Sequence, residues 1–217
     1  MSIIAKKEEG LKIEALEAGV YMGTCKAIID LGMQFNEKFN KTAQKIMIMW
    51  SIIGETVLIG EEEKERTISK EYTLSLGEKA NLTKDLEAWR GKKFTPEELM
   101  GFDLVNILNK SCQLNIIKDE RNGKEYNNIN AIMALAKGQK AEPLADTVIF
   151  DLTDAATWEH WKNIPSWMQE KIQKAENYAI SGLKAYVEDN ADENAIKASQ
   201  TTEDFITIDT DEEELPF

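Results

Sequence analysis

Residues 66–91 read Arg66-Thr-Ile-Ser-Lys-Glu-Tyr-Thr-Leu-Ser-Leu-Gly-Glu-Lys-Ala-Asn-Leu-Thr-Lys-Asp-Leu-Glu-Ala-Trp-Arg-Gly91. Ile68, Lys70, Tyr72 and Leu74 alternate with Thr67, Ser69, Glu71 and Thr73, a period of two that sets the first four on one face of a strand. The spacing then lengthens. Ala80, Leu82, Leu86 and Trp89 recur at helical intervals until Gly91 stops the run. Ser75-Leu-Gly-Glu78 at the changeover has the form of a capping box, in which a hydroxyl and a carboxylate three residues apart satisfy the free N–H groups of a first turn. The stretch is a strand that hands over to a helix, and its flanks decide which β-rich fold results.

Upstream, Gly19-Val-Tyr-Met-Gly-Thr-Cys-Lys-Ala-Ile-Ile-Asp-Leu31 is β-branched and aromatic and reads as a strand ending at Gly32. The polar stretch Gln34-Phe-Asn-Glu-Lys-Phe-Asn-Lys41 separates it from a second strand, Gln44–Ile53, with Ile46, Ile48 and Trp50 on one face. After Gly54 a short strand, Thr56-Val-Leu-Ile59, runs into the charged turn Glu61-Glu-Glu-Lys-Glu65. Downstream, Thr95-Pro-Glu-Glu98 is a second capping box, with proline at the first helical position. Ser111–Lys118 and Lys124–Leu135 follow as two strands around Asp119-Glu-Arg-Asn-Gly123, whose Asn-Gly pair tolerates the positive φ of a tight hairpin. Strands, a helical insertion and a closing hairpin match the order of an OB-fold, a five-stranded Greek-key barrel. The expected fold is therefore mainly β with helical additions: an OB-like barrel over residues 1–150, with the insertion between strands three and four.

Beyond Gly138 the character changes. Val148-Ile-Phe150 reads as an edge strand and Asp154–Lys162 as a short helix. Ser166-Trp-Met-Gln169 is a third capping box ahead of a stripe formed by Met168, Ile172, Ala175, Ala179, Leu183 and Tyr186. This predicts a helical extension over 151–187 packed on the barrel, with Trp158, Trp161 and Trp167 in the seam. Residues 188–217 lose the apolar periodicity and read as a flexible acidic tail.

The net charge is −13, and it is unevenly placed. Residues 1–150 hold 21 Lys and Arg against 23 Asp and Glu, a net of −2, whereas 151–217 hold 5 against 16, a net of −11. Within the latter, 185–217 hold Lys197 and eleven acids, a net of −10. A near-neutral body can still present a basic groove, because placement of charge matters more than its sum. No apolar run reaches the roughly 18–20 residues of a membrane span, and the first ten residues lack the apolar core of an export signal. Only Cys25 and Cys112 occur, which fits reduced thiols and a cytoplasmic location. His160 is the sole histidine, so a Cys/His zinc site lacks ligands. With neither a nucleophile–base pairing nor a phosphate loop in the sequence, the reading is a non-enzyme with no metal and no cofactor.

The last seven residues, Asp211-Glu-Glu-Glu-Leu-Pro-Phe217, are the sharpest local signal. Asp211, Glu212, Glu213 and Glu214 give long-range attraction to a basic patch, and Pro216 stiffens the tip. Leu215 and Phe217 offer apolar groups, and Phe217 carries its α-carboxylate beside its ring, features that an apolar pocket with a basic rim can read together. A solubilising tail gains nothing from a terminal aromatic.

This tip resembles the acidic C-terminal end of bacterial single-stranded-DNA-binding proteins. The body is similar instead to single-stranded-DNA-binding proteins of tailed bacteriophages, through Ala18-Gly-Val-Tyr21, Ser69-Lys-Glu-Tyr-Thr-Leu-Ser-Leu76, Trp89-Arg-Gly-Lys-Lys-Phe-Thr-Pro-Glu-Glu98 and Gly101-Phe-Asp-Leu104. The resemblance covers about residues 15–135 and the tail. It implies an OB barrel, sequence-tolerant binding of single-stranded DNA, and a tail that recruits replication or recombination proteins (helicase, primase, polymerase or recombinase). A phage origin would place it in host-cell cytoplasm.

Independently of the resemblance, such binding needs cations for phosphates and aromatic faces for bases. Candidate contacts are Phe35, Lys38, Phe39, Lys41 and Lys45 ahead of and within strand two; Arg66, Lys70 and Tyr72 on strand three; and Lys118, Arg121, Lys124 and Tyr126 around the Asn-Gly hairpin. A strand-annealing recombination protein, an acidic adaptor or DNA mimic, and homo-oligomerisation stay open at this level.

Overall fold

The structure is a computed structural model that describes residues 14–59, 62–121, 123–141 and 143–190. Six strands appear among the described residues: β1 Gly19–Asn36, β2 Lys41–Ile59, β3 Glu62–Thr73, β4 Ser111–Arg121, β5 Lys124–Met133 and β6 Val148–Phe150. Helices α1 (Asn81–Arg90) and α2 (Pro96–Met100) and a 3-10 turn at Leu104–Ile107 separate β3 from β4. A 3-10 helix at Ala155–Asn163, then α3 (Ser166–Gln173), a short turn at Tyr178–Ile180 and α4 (Leu183–Asp189), follow β6. The protein is mainly β, with the helical insertion between the third and fourth strands.

The expected separate strand at 56–59 is instead the far end of β2. Gly54, at φ +82°, takes up the register break between Ser51 and Thr56, and the strand resumes opposite β3. Two of the three capping boxes do not form. Ser75 Oγ accepts from the Gly77 N–H, and α1 starts later, behind Ala80. Pro165, not Ser166, precedes α3, and Gln169 Nε2 donates to the Trp161 carbonyl. Thr95 and Glu98 do form the reciprocal box, at 3.2 and 3.0 Å.

The strands are hydrogen-bonded in the order β3-β2-β1-β4-β5, all antiparallel, and β6 adds to β1 in parallel. β1 is shared by two partners. Gly19–Thr24 pairs with β4, while Gly23–Asn36 pairs with β2 across bulges at Cys25/Ala27 and Asp30/Gly32. Gly23 sits where they overlap; a Cβ there would lie 2.6 Å from Leu114 Cδ1, so a larger residue would have to displace that core side chain.

The path is open, with β3 and β5 at its ends, but those edges are bridged. Helix α1 packs against both. At the other end, Asn127 of β5 imitates a ladder partner for Leu16: Leu16 N–H donates to Asn127 Oδ1 at 2.7 Å, and Asn127 Nδ2 donates to the Leu16 carbonyl at 2.8 Å. Arg66 of β3 donates to the carbonyl of neighbouring Glu14.

The sheet buries both faces of the central stretches of β1 and β2, Ala27–Leu31 and Ile46–Ile52, which is why these stretches read as near-continuous apolar runs. On the inner face Ile28, Ile46, Ile48 and Trp50 meet Leu82, Leu86 and Trp89 of α1 and Leu114 and Ile116 of β4. On the outer face Ala27, Ile29, Leu31, Met47 and Met49 are covered by Phe150, Trp161, Met168, Ile172 and Leu183. The expected tryptophan seam is present: Trp161 is buried beside Phe150, and Trp158 packs on Tyr186 at 5.7 Å. The expected single C-terminal helix is broken in two. Asn177 turns its Oδ1 to the Met33 N–H at 2.8 Å, and Gly182, at φ +81°, restarts the chain as α4, leaving Ala179 exposed.

Candidate nucleic-acid interface

Residues 37–40 join β1 to β2. Asn40 adopts φ +48°, which Asn tolerates, and its N–H closes the turn on the Glu37 carbonyl at 3.3 Å. Asn36 Oδ1 accepts from the Phe39 N–H at 3.2 Å. The turn leaves Phe35 52% and Phe39 36% exposed. The Lys38 ammonium lies 5.8 Å from the Phe39 ring centroid, and exposed Lys41 follows directly. Exposed Leu74, whose N–H donates to the Gln44 carbonyl, borders the same end of the sheet; its alternation with Tyr72 was legible, but its exposure was not. Lys45 is half-buried and engaged: its Nζ reaches Thr73 Oγ1 at 2.9 Å and Glu71 at 3.9 Å, and Glu71 also binds Lys171 of α3.

The β3 candidates face inward. Tyr72 is 1% exposed, and its hydroxyl donates to Asp85 Oδ2 of α1 at 2.8 Å. The Lys70 ammonium meets the same oxygen at 2.9 Å and lies 5.4 Å from the Tyr72 ring. Arg66 is drawn toward Glu14, and burial lowers its pKa. Tyr72 thus has no ring face open to a base. Alternation put these residues on one face, but it could not say that this face lines the core; the pairing of Ile68 with Trp50 decides that.

In the third cluster, Arg121 pairs with Lys124 around the turn, with Gly123 at φ +72°. Lys118 is held by Glu17 at 2.6 Å and Glu125 at 3.7 Å, and the hydrogen bond to Glu17 followed by these negative charges raises its pKa. Arg121 Nε donates to Asp119 Oδ2 at 3.1 Å, and Tyr126, opposite Asp119, is half-buried.

The register separates the two loop clusters. The 37–40 turn follows the C-terminal end of β1, whereas the hairpin lies past its N-terminal end, because Gly19 already pairs with Ile116. Phe35, Lys38, Phe39 and Lys41 come together around the turn, whereas Lys45 is tied to Thr73 and Glu71 and does not join them; Lys118, Arg121 and Tyr126 lie apart, on the hairpin strands that turn back at Lys124. The docking tip, Asp211–Phe217, lies outside the described residues.

A cavity of about 640 Å³ escaped the sequence reading. It is lined by Lys26, Lys64, Glu65, His160, Asn163 and residues 144–148, with Lys26 bound to Glu65 at 3.1 Å. Its only sequence signal was the solitary histidine. Burial pushes the Cys25 and Cys112 thiols well above their ordinary pKa, so they stay protonated at neutral pH. Among the described residues no helix is long and apolar enough to cross a membrane. Neither a scan against protein-family models nor a search of curated proteins finds a match for this chain.

Proposed function

We propose that the protein binds single-stranded DNA with little sequence preference, on a body connected as an OB-fold, and that its C-terminal tip recruits replication or recombination proteins. Support for the fold comes from the order β5-β4-β1-β2-β3 with a helical insertion between β3 and β4. An OB barrel is partly open, and here α1 and residues 14–18 span the gap between its edges.

The observation that carries the binding reading is the turn after β1. Two exposed phenylalanines beside two lysines pair apolar faces for bases with cations for phosphates. In an OB-fold the first-to-second-strand loop is a ligand-contacting element, and this turn takes that position in the strand order; the fourth-to-fifth-strand hairpin, whose Lys118 and Arg121 are paired with Glu17, Glu125 and Asp119, adds little to the reading. No catalytic step belongs to this reading.

Fluorescence titration of the full chain against oligo-dT, duplex DNA and single-stranded RNA at several salt concentrations tests it. Oligo-dT should bind more tightly than duplex, with affinity falling as salt displaces phosphate contacts. Equal affinity for duplex and oligo-dT at moderate salt would sink the proposal.

A further inference from the structure

We infer that the C-terminal extension is part of the nucleic-acid site: residues 171–177 clamp the ribbon that carries Phe35, and Asn177 and Thr42 are positioning residues for that ring. The inference rests on the single-stranded-DNA reading of the 37–40 turn and names what holds that site in shape.

The ladder between β1 and β2 runs on to Asn36↔Lys41, and every other strand stops short of that end. Along β1, pairing with β4 ends at Thr24 and pairing with β6 at Ile29. Along β2, pairing with β3 reaches no further than Lys45, opposite Thr73. Residues 32–44 therefore form a two-stranded ribbon that projects beyond the sheet. Such a ribbon is marginal in water unless something packs against it. A ring carried on a frayed stem would also have to be ordered when a base stacks on it, and that ordering weakens binding.

The support comes from the chain beyond β6. Met33 turns both of its backbone groups to the extension, as an edge strand turns to a ladder partner. Its N–H donates to Asn177 Oδ1 at 2.8 Å, and its carbonyl accepts from the Glu176 N–H at 2.9 Å. Gln34 Nε2 donates to the Lys171 carbonyl at 2.9 Å. On the opposite strand Thr42, the register partner of Phe35, donates its hydroxyl to Glu176 Oε1 at 2.9 Å. At the base of the ribbon Gly32, at φ +76°, admits Ala175; a Cβ there would stand 2.6 Å from the Ala175 Cβ. These bonds bracket Phe35 on its own strand and across the ladder, while its ring stays 52% exposed. Sealing the outer face of the sheet falls to Phe150, Trp161, Met168, Ile172 and Leu183. Asn177, Glu176 and Thr42 lie outside that apolar seal, so their side chains can be altered without opening it.

Fluorescence anisotropy of labelled oligo-dT, titrated with full-chain variants at several salt concentrations, tests the clamp. Asn177→Ala and, separately, Thr42→Val should each weaken binding about three- to tenfold, the effect of losing one hydrogen bond that orders the site. Neither removes a cation, so the slope of log affinity against log salt should match the parent's. Phe35→Ala should weaken the parent but add little in the Asn177→Ala background, because the clamp acts through that ring. Amide exchange in Asn177→Ala should quicken over residues 33–44 and stay slow over 46–50, which tells a loosened ribbon from global unfolding. If exchange quickens everywhere, Thr42→Val, which removes only a hydroxyl, carries the same double-variant comparison. Losses that add in the double variant overturn the inference. So does unchanged affinity in both clamp variants, or an altered salt slope. If Phe35→Ala leaves the parent's affinity unchanged, the DNA reading of the turn falls together with the clamp; if it weakens the parent and the losses add, the clamp alone falls.

Discussion

Phe39 is held by the hydrogen bonds of a tight turn and Phe35 by its strand pairing with Thr42, and both are exposed, so truncating either removes a surface without disturbing a core. Phe35→Ala and Phe39→Ala should each lower oligo-dT affinity by about 1–3 kcal/mol, the cost of one lost stacking platform. Tm should stay within about half a kcal/mol of the parent in stability terms. Unchanged affinity in both folded variants would detach this turn from DNA binding. Asp30 behaves differently. Burial raises its carboxyl pKa, while hydrogen bonds from the Gly32 and Leu152 N–H groups and the Gln44 amide only partly offset this. A folded-state pKa above the unfolded one means that the native protein binds the proton more tightly. This group's contribution to stability therefore rises as pH falls from above the folded value to the ordinary Asp range, then levels off. Thermal melts of the parent and of Asp30→Asn across the carboxylate range should show the difference moving in the parent's favour as pH drops. A difference that moves the other way would mean the ionised form is the one the fold stabilises.

Helix α1 is fastened to β3 by Asp85, which receives both the Tyr72 hydroxyl and the Lys70 ammonium. Tyr72→Phe should cost about 1 kcal/mol in a denaturant melt, one hydrogen bond's worth, and leave DNA affinity unchanged. Tyr72→Ala should cost about 3–5 kcal/mol by opening a cavity in the core. A Tyr72→Phe variant that keeps its stability but loses DNA would reinstate this tyrosine as a ligand contact. The same contact marks where sequence reading succeeds and where it stops. The strand-to-helix changeover at 66–91 and the Asn-Gly hairpin were legible, because period and turn chemistry are local. Which side of β3 faces the core was not, since alternation is symmetric about the strand and only pairing with β2 breaks the tie. The capping boxes teach the same lesson. Thr95-Pro-Glu-Glu98 formed where proline fixes the first helical φ, whereas Ser75 and Ser166 lacked that constraint and were outcompeted by a local turn and by Pro165. The Lys38–Phe39 turn could be read because an exposed loop owes little to distant neighbours; Lys45, Lys70 and Lys118 could not, because their carboxylate partners Glu71, Asp85 and Glu17 come from elsewhere in the chain.

Over the whole chain, charge is divided between a near-neutral body and a terminal segment of net −10 over residues 185–217. On the proposed reading, a tethered polyanion at an effective concentration on the order of millimolar would compete with DNA most strongly where screening is weak. Deleting residues 209–217 should raise oligo-dT affinity at low salt, with the gain vanishing as salt increases. Phe217→Ala keeps every acid side chain, so it should leave DNA binding as in the parent and abolish capture of a replication or recombination partner in a pull-down. Full partner capture by that variant would reduce the tip to a solubilising tail. Another feature of the whole molecule is temporal. Ala27 pairs with Val148 and Phe150 seals the outer face of β1, so one of the first strands made waits for one of the last. During synthesis, Ile29, Leu31, Met47 and Met49 remain uncovered until the ribosome has released the residues beyond 150, a loop closure that spans every other strand. A nascent chain stalled before that point should attract chaperones, because the apolar outer face of β1 and β2 has nothing yet to cover it.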